Sequence, residues 1–306
     1  NYILRKERAS IFYDIPPEMV ELVFILQNHF FQINSVPYRS LSPLHVSIEN
    51  DDNKFLRLLL KHSEIDLNYS TFEHPNPLFY SIKLRNMYAF RIFLKHPKIS
   101  TISPSSAVTL VSKQFDVTNG DEKGNDILIE MLSIVLKKFQ IDQKNNSTFS
   151  TIGIFVAYQR HAYRVLEKLI LSSNVELNVQ NSKGMAILHM AIIDNDRYVF
   201  NLLISANNEK ERVDLNLRDQ IVYKKTEFYK TFKNDKTPIM LCFMHEREEF
   251  FDILLDKKSV DILICDSEGN TLTMLIIRNS NNPLVLLKKL FDKKKTDFLK
   301  SLQIQD

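Results

Sequence analysis

The chain has 306 residues, a formal charge of +3, 44% hydrophobic and 25% charged residues. That is the composition of a folded chain rather than a disordered one, and the charge is too small to argue for a nucleic-acid or membrane partner without local clustering. Two cysteines, Cys242 and Cys265, exclude a disulfide framework or a zinc knuckle; their apolar settings suit a reducing compartment, so a cytoplasmic chain is expected.

The elements repeat. An aliphatic helix ending is followed by an apolar-acidic-apolar-Asn string at Ile65-Asp-Leu-Asn68 and Val175-Glu-Leu-Asn178, with a variant at Phe31-Gln-Ile-Asn34. The anchors Leu22, Leu56 and Phe90 lie 34 residues apart, as do Leu132, Leu166 and Phe200. A fixed period of this size means stacked supersecondary units. Helical spacing puts i, i+3 and i+4 on one face, and it is kept at Leu22/Ile25/Leu26, Leu56/Leu59/Leu60 and Phe90/Phe93/Leu94. The series continues through Leu132/Val135/Leu136, Leu166/Leu169/Ile170 and Phe200/Leu203/Ile204 to Phe251/Leu254/Leu255 and Leu287/Leu290/Phe291. Eight units are predicted.

First helices are signalled at Ser42-Pro43, Asn76-Pro77 and Thr237-Pro238, where a capping side chain precedes a proline suited to the first turn. Ala186-Ile-Leu-His189-Met-Ala191 and Thr271-Leu-Thr-Met-Leu-Ile276 align with them. Together with Ser42-Pro-Leu-His45, these stretches resemble the Thr-Pro-Leu-His-x-Ala signature of the ankyrin repeat, and Asn181-Ser-Lys-Gly184 and Asp266-Ser-Glu-Gly269 resemble its outward tips. The resemblance covers residues 34–290 and implies an all-α fold: an ankyrin-repeat solenoid of stacked helix-turn-helix units with short β-hairpin-like outward loops. It is divergent, since glycine is nearly absent from the inter-helix turns, where Asn50-Asp-Asp, Arg85-Asn86 and Asp194-Asn-Asp196 stand instead.

On this reading residues 1–33 are an N-terminal capping repeat, 34–278 the array, and 279–306 a C-terminal capping helix and tail. Terminal units should be atypical: Lys288, Lys289 and Lys293–Lys295 are expected to give the last helix a solvated polar face, and residues after Phe298 to fray. Insertions are placed near 115–125 and 219–236, where anchors are 42 and 51 residues apart. For the first, a helix near Pro104–Lys113, a loop through Asn119–Gly124 and a long second helix are favoured over a tip at Asp121–Asp126.

Motifs for catalysis were weighed against architecture. His245-Glu-Arg-Glu-Glu249 carries Glu249 where a zinc site needs its second histidine, and reads as a polar inter-helix turn. Gly120 and Gly124 have no Lys-Ser/Thr after them, so there is no phosphate loop. His45 and His189 sit in the repeat signature and are read as structural. No catalytic, cofactor-binding or metal-binding residue is assigned, and no enzyme activity or cofactor is expected.

The segment above background is the second insertion, which interleaves Tyr223, Phe228, Tyr229 and Phe232 with Lys224 and Lys225. Tyrosine offers large contact area at low entropic cost, which suits binding surfaces. With Tyr38, Arg39, Phe72 and Lys183 at other tips, these are the candidate partner-binding residues. The expected function is a non-enzymatic protein–protein interaction scaffold that uses its concave groove and tips. Alternatives are a structural component of a large multi-protein (for example cytoskeletal) assembly, or a targeting module of a longer enzyme, which a chain beginning at Asn1 leaves open. Nucleic acid is not the expected partner. Membrane insertion is not expected either, because no apolar run reaches the roughly 18–20 residues needed.

Overall fold

A computed structural model describes residues 34, 41–70, 74–97, 104–117, 121–142, 153–220, 222–224, 231–233 and 235–304. Two compact units divide the chain, Asn1–Lys144 and Asn145–Asp306. In the first, helices α1 (Pro43–Glu49) and α2 (Asn53–Leu60), α3 (Pro77–Lys83) and α4 (Met87–Lys95), and α5 (Pro104–Gln114) and α6 (Glu122–Asp142) form three pairs. The second holds four: α7 (Gly153–Gln159) with α8 (Tyr163–Leu171), α9 (Ile187–Ile193) with α10 (Arg197–Lys210), α11 (Pro238–Met244) with α12 (Glu248–Leu255), and α13 (Leu272–Asn279) with α14 (Pro283–Ser301). The described fold is all-helical apart from one two-stranded antiparallel ribbon, β1 (Val222–Lys224) with β2 (Thr231–Lys233).

Within each unit first helices pack on first helices and second on second. Helices α10 and α12 meet through the stacked rings of Phe200 and Phe250, 4.0 Å between centroids. The predicted stripes face this core: Phe90, Phe93, Leu132, Val135, Leu166, Leu169, Phe200, Leu203 and Leu254 are buried. Each such side chain contributes roughly 1.5–3 kcal/mol of hydrophobic stabilisation before entropy. Leu22/Ile25/Leu26 lie outside the described residues. The last predicted stripe, Leu287/Leu290/Phe291, does not form one buried face: Leu290 is buried, Leu287 half-buried and Phe291 exposed. The two helices expected around the first insertion match α5 and α6, but α6 begins at Glu122, inside the stretch expected as a loop through Gly124. Asp121 caps α6, its carboxylate accepting the Gly124 N–H at 3.0 Å.

Five of the seven inter-helix turns share one geometry. Asp51, Arg85, His161, Asn195 and Glu246 adopt a left-handed conformation, φ 52–58°. The next residue's N–H then reaches back to a buried small residue of the first helix: Asp52 to Ser47, Asn86 to Ser81, Ala162 to Ala157, Asp196 to Ala191 and Arg247 to Cys242, at 2.8–2.9 Å. This bond satisfies a carbonyl that the helix end leaves open. Asp51 and Asn195 tolerate the conformation; Arg85, His161 and Glu246 have no such preference. Asp52, Asn86 and Asp196 then cap the second helices, accepting N–H bonds from Phe55, Ala89 and Val199.

The outward strings are joined by asparagine side chains. Asn178 donates to the Arg212 carbonyl at 3.1 Å and accepts the Asp214 N–H at 2.8 Å. Asn216 does the same with Ser259 and Asp261, at 2.6 and 2.8 Å, and Asn34 with Glu64 and Asp66, both at 2.8 Å. The acid of each string folds its own turn, accepting the N–H two residues on: Asp66 from Asn68, Glu176 from Asn178, Asp214 from Asn216 and Asp261 from Leu263. Basic side chains close the preceding helix ends. Arg212 donates to the Ile170, Ser172 and Val175 carbonyls, and Lys294 to those of Lys257, Lys258 and Val260.

Two expectations for the last helix are corrected. The helix does not end at Phe298: α14 kinks at Lys294, where φ is −132°, and runs to Ser301. Ser301 is buried, its hydroxyl 2.8 Å from that of Thr273. Nor are the lysines simply a solvated face: Lys289 pairs with Asp252 of α12 and Lys293 with Asp256 just after it, and Lys294 is spent on carbonyls. The outward side instead carries exposed Leu284, Val285 and Phe291.

Replacing His161 with Gly should remove the left-handed strain, about 1–2 kcal/mol in an L-residue, against about 0.5–1 kcal/mol of added backbone entropy in the unfolded chain. A small rise in melting temperature is expected, and a fall for His161→Val. Asn178→Ala should cost about 1–3 kcal/mol in urea unfolding, because both its bonds are lost.

Candidate interaction surface at the loop tips

Two tips in the second unit are built alike. At Asn181–Met185 the Asn181 N–H bonds the Met185 carbonyl at 2.9 Å, and the Asn181 side-chain oxygen accepts the N–H groups of Lys183 and Met185. At Asp266–Asn270 the Asp266 N–H bonds the Asn270 carbonyl at 3.0 Å, and the carboxylate accepts from Glu268 and Asn270. The return bond therefore ends on a side chain, which makes these turns Asx-type rather than the β-hairpin-like loops expected. Gly184 and Gly269 supply φ of 75° and 82°. Gly184 has a second reason to lack a side chain: a Cβ there would lie 2.4 Å from the Gln220 backbone. The Gln220 N–H bonds the Gly184 carbonyl at 2.8 Å, tying this tip to the next.

That next tip is the extended one. Asp219 and Lys236 make the same closure, Asp219 N–H to Lys236 carbonyl and Lys236 N–H to the Asp219 carboxylate, both 2.9 Å. The partners stand 17 positions apart, where their counterparts stand 4 apart. The inserted residues, including β1 and β2, thus leave the array from a tip whose base is kept. The Lys236 ammonium turns inward to the Asp266 carboxylate, and both side chains are buried, 8% and 0% exposed. Burial pushes the Asp266 carboxyl up, but the Lys236 ammonium and the Asn270 N–H groups outweigh it and hold it below the usual carboxylate range. A buried pair of this kind fixes geometry more than it adds stability.

The two signature histidines link neighbouring pairs. The Ala186 N–H donates to His189 Nδ1 at 3.0 Å, and Nε2 lies 2.7 Å from the Leu217 carbonyl. His45 repeats this with the Ser42 N–H at 3.3 Å and the Pro75 carbonyl at 2.8 Å. An Nδ1 that accepts from a backbone N–H leaves the proton on Nε2, so each ring is neutral and donates onward. Burial lowers both histidines below their ordinary value, against the raising effect of those carbonyls. Cys242 fills the buried small-residue position of its repeat, and burial pushes its thiol up.

Of the candidate partner-binding residues, Lys183 is exposed at its tip. Tyr223 and Lys224 lie on β1 and Phe232 on β2, Tyr223 opposite Phe232 in the register. Tyr38, Arg39, Phe72, Lys225, Phe228 and Tyr229 lie outside the described residues. The sequence reading missed the Lys236–Asp266 pair and the Asp219 closure. The only signal was that Asp219 and Asp266 both begin a tip. No protein-family model matches the chain, and no curated protein is significantly similar to it.

Lys236→Met should cost about 3–5 kcal/mol, because Asp266 is left buried and unpaired. Adding Asp266→Asn, which removes the charge but keeps the closing oxygen as Asn181 does at the matching tip, should restore much of the loss, as read by urea unfolding. The histidines set a second dependence. An imidazole held lower in the folded state contributes stability fully present above its unfolded value of 6.5 and lost as pH falls through its folded value. Melting temperature should therefore decline below about pH 6.5, and less steeply in a His45→Gln, His189→Gln double variant.

Proposed function

We propose that the chain is a divergent ankyrin-repeat solenoid that acts as a non-enzymatic protein–protein interaction scaffold in a reducing, cytoplasmic setting, with its tips and the adjoining first-helix surface as the contact region. The observation that carries this reading is the extension between Asp219 and Lys236. The chain has lengthened a loop at its tip while keeping the tip's closing bonds and adding a buried ion pair beneath it. Stability alone does not require those extra residues, since the short tips at Asn181–Met185 and Asp266–Asn270 close equally well. Long loops held by a rigid scaffold are where binding residues concentrate. Features of the repeated architecture support the family: a polar residue before proline at three first helices, a histidine linking neighbouring pairs at two, a small buried residue at five turns and an Asn-linked outward string at three places.

The test is to replace residues 220–235 by a short Ser-Lys-Gly tip between Asp219 and Lys236. Partner capture followed by mass-spectrometric identification is compared for the two chains. The expected result is loss of specific partners with the melting temperature kept within a few degrees. Retention of every partner would remove the extension from the binding surface.

A further inference from the structure

Between the last two helix pairs runs an open groove of about 760 Å³ that none of the candidate tips explains. It lies where the final inter-helix turn, Asn279–Asn282, departs from the left-handed geometry that five of the turns share. Its apolar lining comes from Phe243, Met244, Phe251, Leu275 and Leu286, and Met244 is 47% exposed although it ends a first helix. Methionine is an adaptable contact for apolar side chains.

Charge decides what could lie there. Glu246, Glu248 and Glu268 line the groove and are exposed. Among the described residues Glu246 and Glu248 make no ion pair, and Glu268 only accepts the Asn270 side-chain N–H at 3.2 Å. The cations lining the groove are already engaged. Lys236 is paired with Asp266 and Lys289 with Asp252, and Arg247 donates to the Ile192 and Ile193 carbonyls. Three carboxylates thus stand against one uncompensated guanidinium, beside an apolar lining. Exposed Asn281 and Asn282 place side-chain amides on the same wall, able to bond a peptide backbone.

We propose that this groove binds an extended peptide segment whose apolar side chains are flanked by lysine or arginine. The inference rests on the reading of the chain as an interaction protein but uses a surface that meets the extended tip only at its base residue Lys236. Complementary charge at an interface sets partner choice and makes association salt-dependent, and the same carboxylates reject acidic segments and nucleic acid.

The experiment uses the full chain and two fluorescein-labelled peptide probes, one alternating lysine with leucine and one alternating glutamate with leucine, read by anisotropy. The lysine peptide should bind and weaken with added salt, and the glutamate peptide should not bind. The Glu246→Lys, Glu248→Lys, Glu268→Lys variant should weaken binding by roughly tenfold, and Met244→Ser, at an exposed position, should weaken it with melting temperature unchanged. Equal binding of both peptides, or wild-type affinity in either variant, would overturn the proposal. So would self-association of the chain that the triple variant abolishes, since the occupant would then be a second copy. The chain with the shortened 219–236 tip should bind the lysine peptide normally, so failure of the groove and failure of the extended tip are told apart.

Discussion

An outward loop between helix pairs has no sheet to receive its backbone N–H and C=O groups, and among the described residues this chain meets that constraint with the side chains of Asn34, Asn178 and Asn216. The amide side chain is both donor and acceptor, so a single residue bonds a carbonyl and an N–H on the following string. The acid two residues before that asparagine, or its counterpart in the last string, holds the string in its own turn. Together these bonds fix where each repeat's outer edge sits on the next. What lies between two asparagines is then free to vary. Asn178 reaches Asp214 across α9 and the long α10, while Asn216 reaches Asp261 across the extended tip, α11 and α12.

Much of the helical scaffold was legible in the sequence, because burial leaves a periodic mark. Phe200 and Leu203 or Leu166 and Leu169 can be read as one buried face from spacing alone. The Ser42-Pro43, Asn76-Pro77 and Thr237-Pro238 starts were legible too, since a fixed proline φ is a local effect; the expected capping bond is made by Asn76, which accepts the Phe79 N–H, and not by Thr237. His161 and Glu246 were not. Their left-handed backbone is imposed by the bond from the following N–H to Ala157 or Cys242 and leaves no mark on their own side chains. The Asn string could be seen in the sequence, but its role could not, because each bond joins residues more than thirty positions apart. Lys236 and Asp266 were hidden for the same reason. A lysine and an aspartate thirty residues apart look like two solvated charges until the tips are brought together.

The candidate surfaces follow from this construction. A tip closed by its own side chain can be lengthened without disturbing the helices beneath, provided Asp219 and Lys236 remain at its base. The buried Lys236–Asp266 pair then couples the lengthened tip to its neighbour, so whatever the ribbon presents is anchored at its base to a rigid element. The last described helix pair handles its charges differently. The α14 lysines are drawn back onto α12 and its carbonyls, whereas Glu246 and Glu248 keep their charge for solvent or a partner.

Single-amide hydrogen exchange, followed by NMR, tests the asparagine linkage most directly. Asp66, Asp214 and Asp261 lie in exposed loops, yet their N–H groups are bonded to the Asn34, Asn178 and Asn216 side chains at 2.8 Å. All three amides should be protected, and Asn178→Ala should release Asp214 while leaving the other two slow. If Asp66, Asp214 and Asp261 exchange at the rate of an open loop in the unaltered chain, the repeats are not joined in this way.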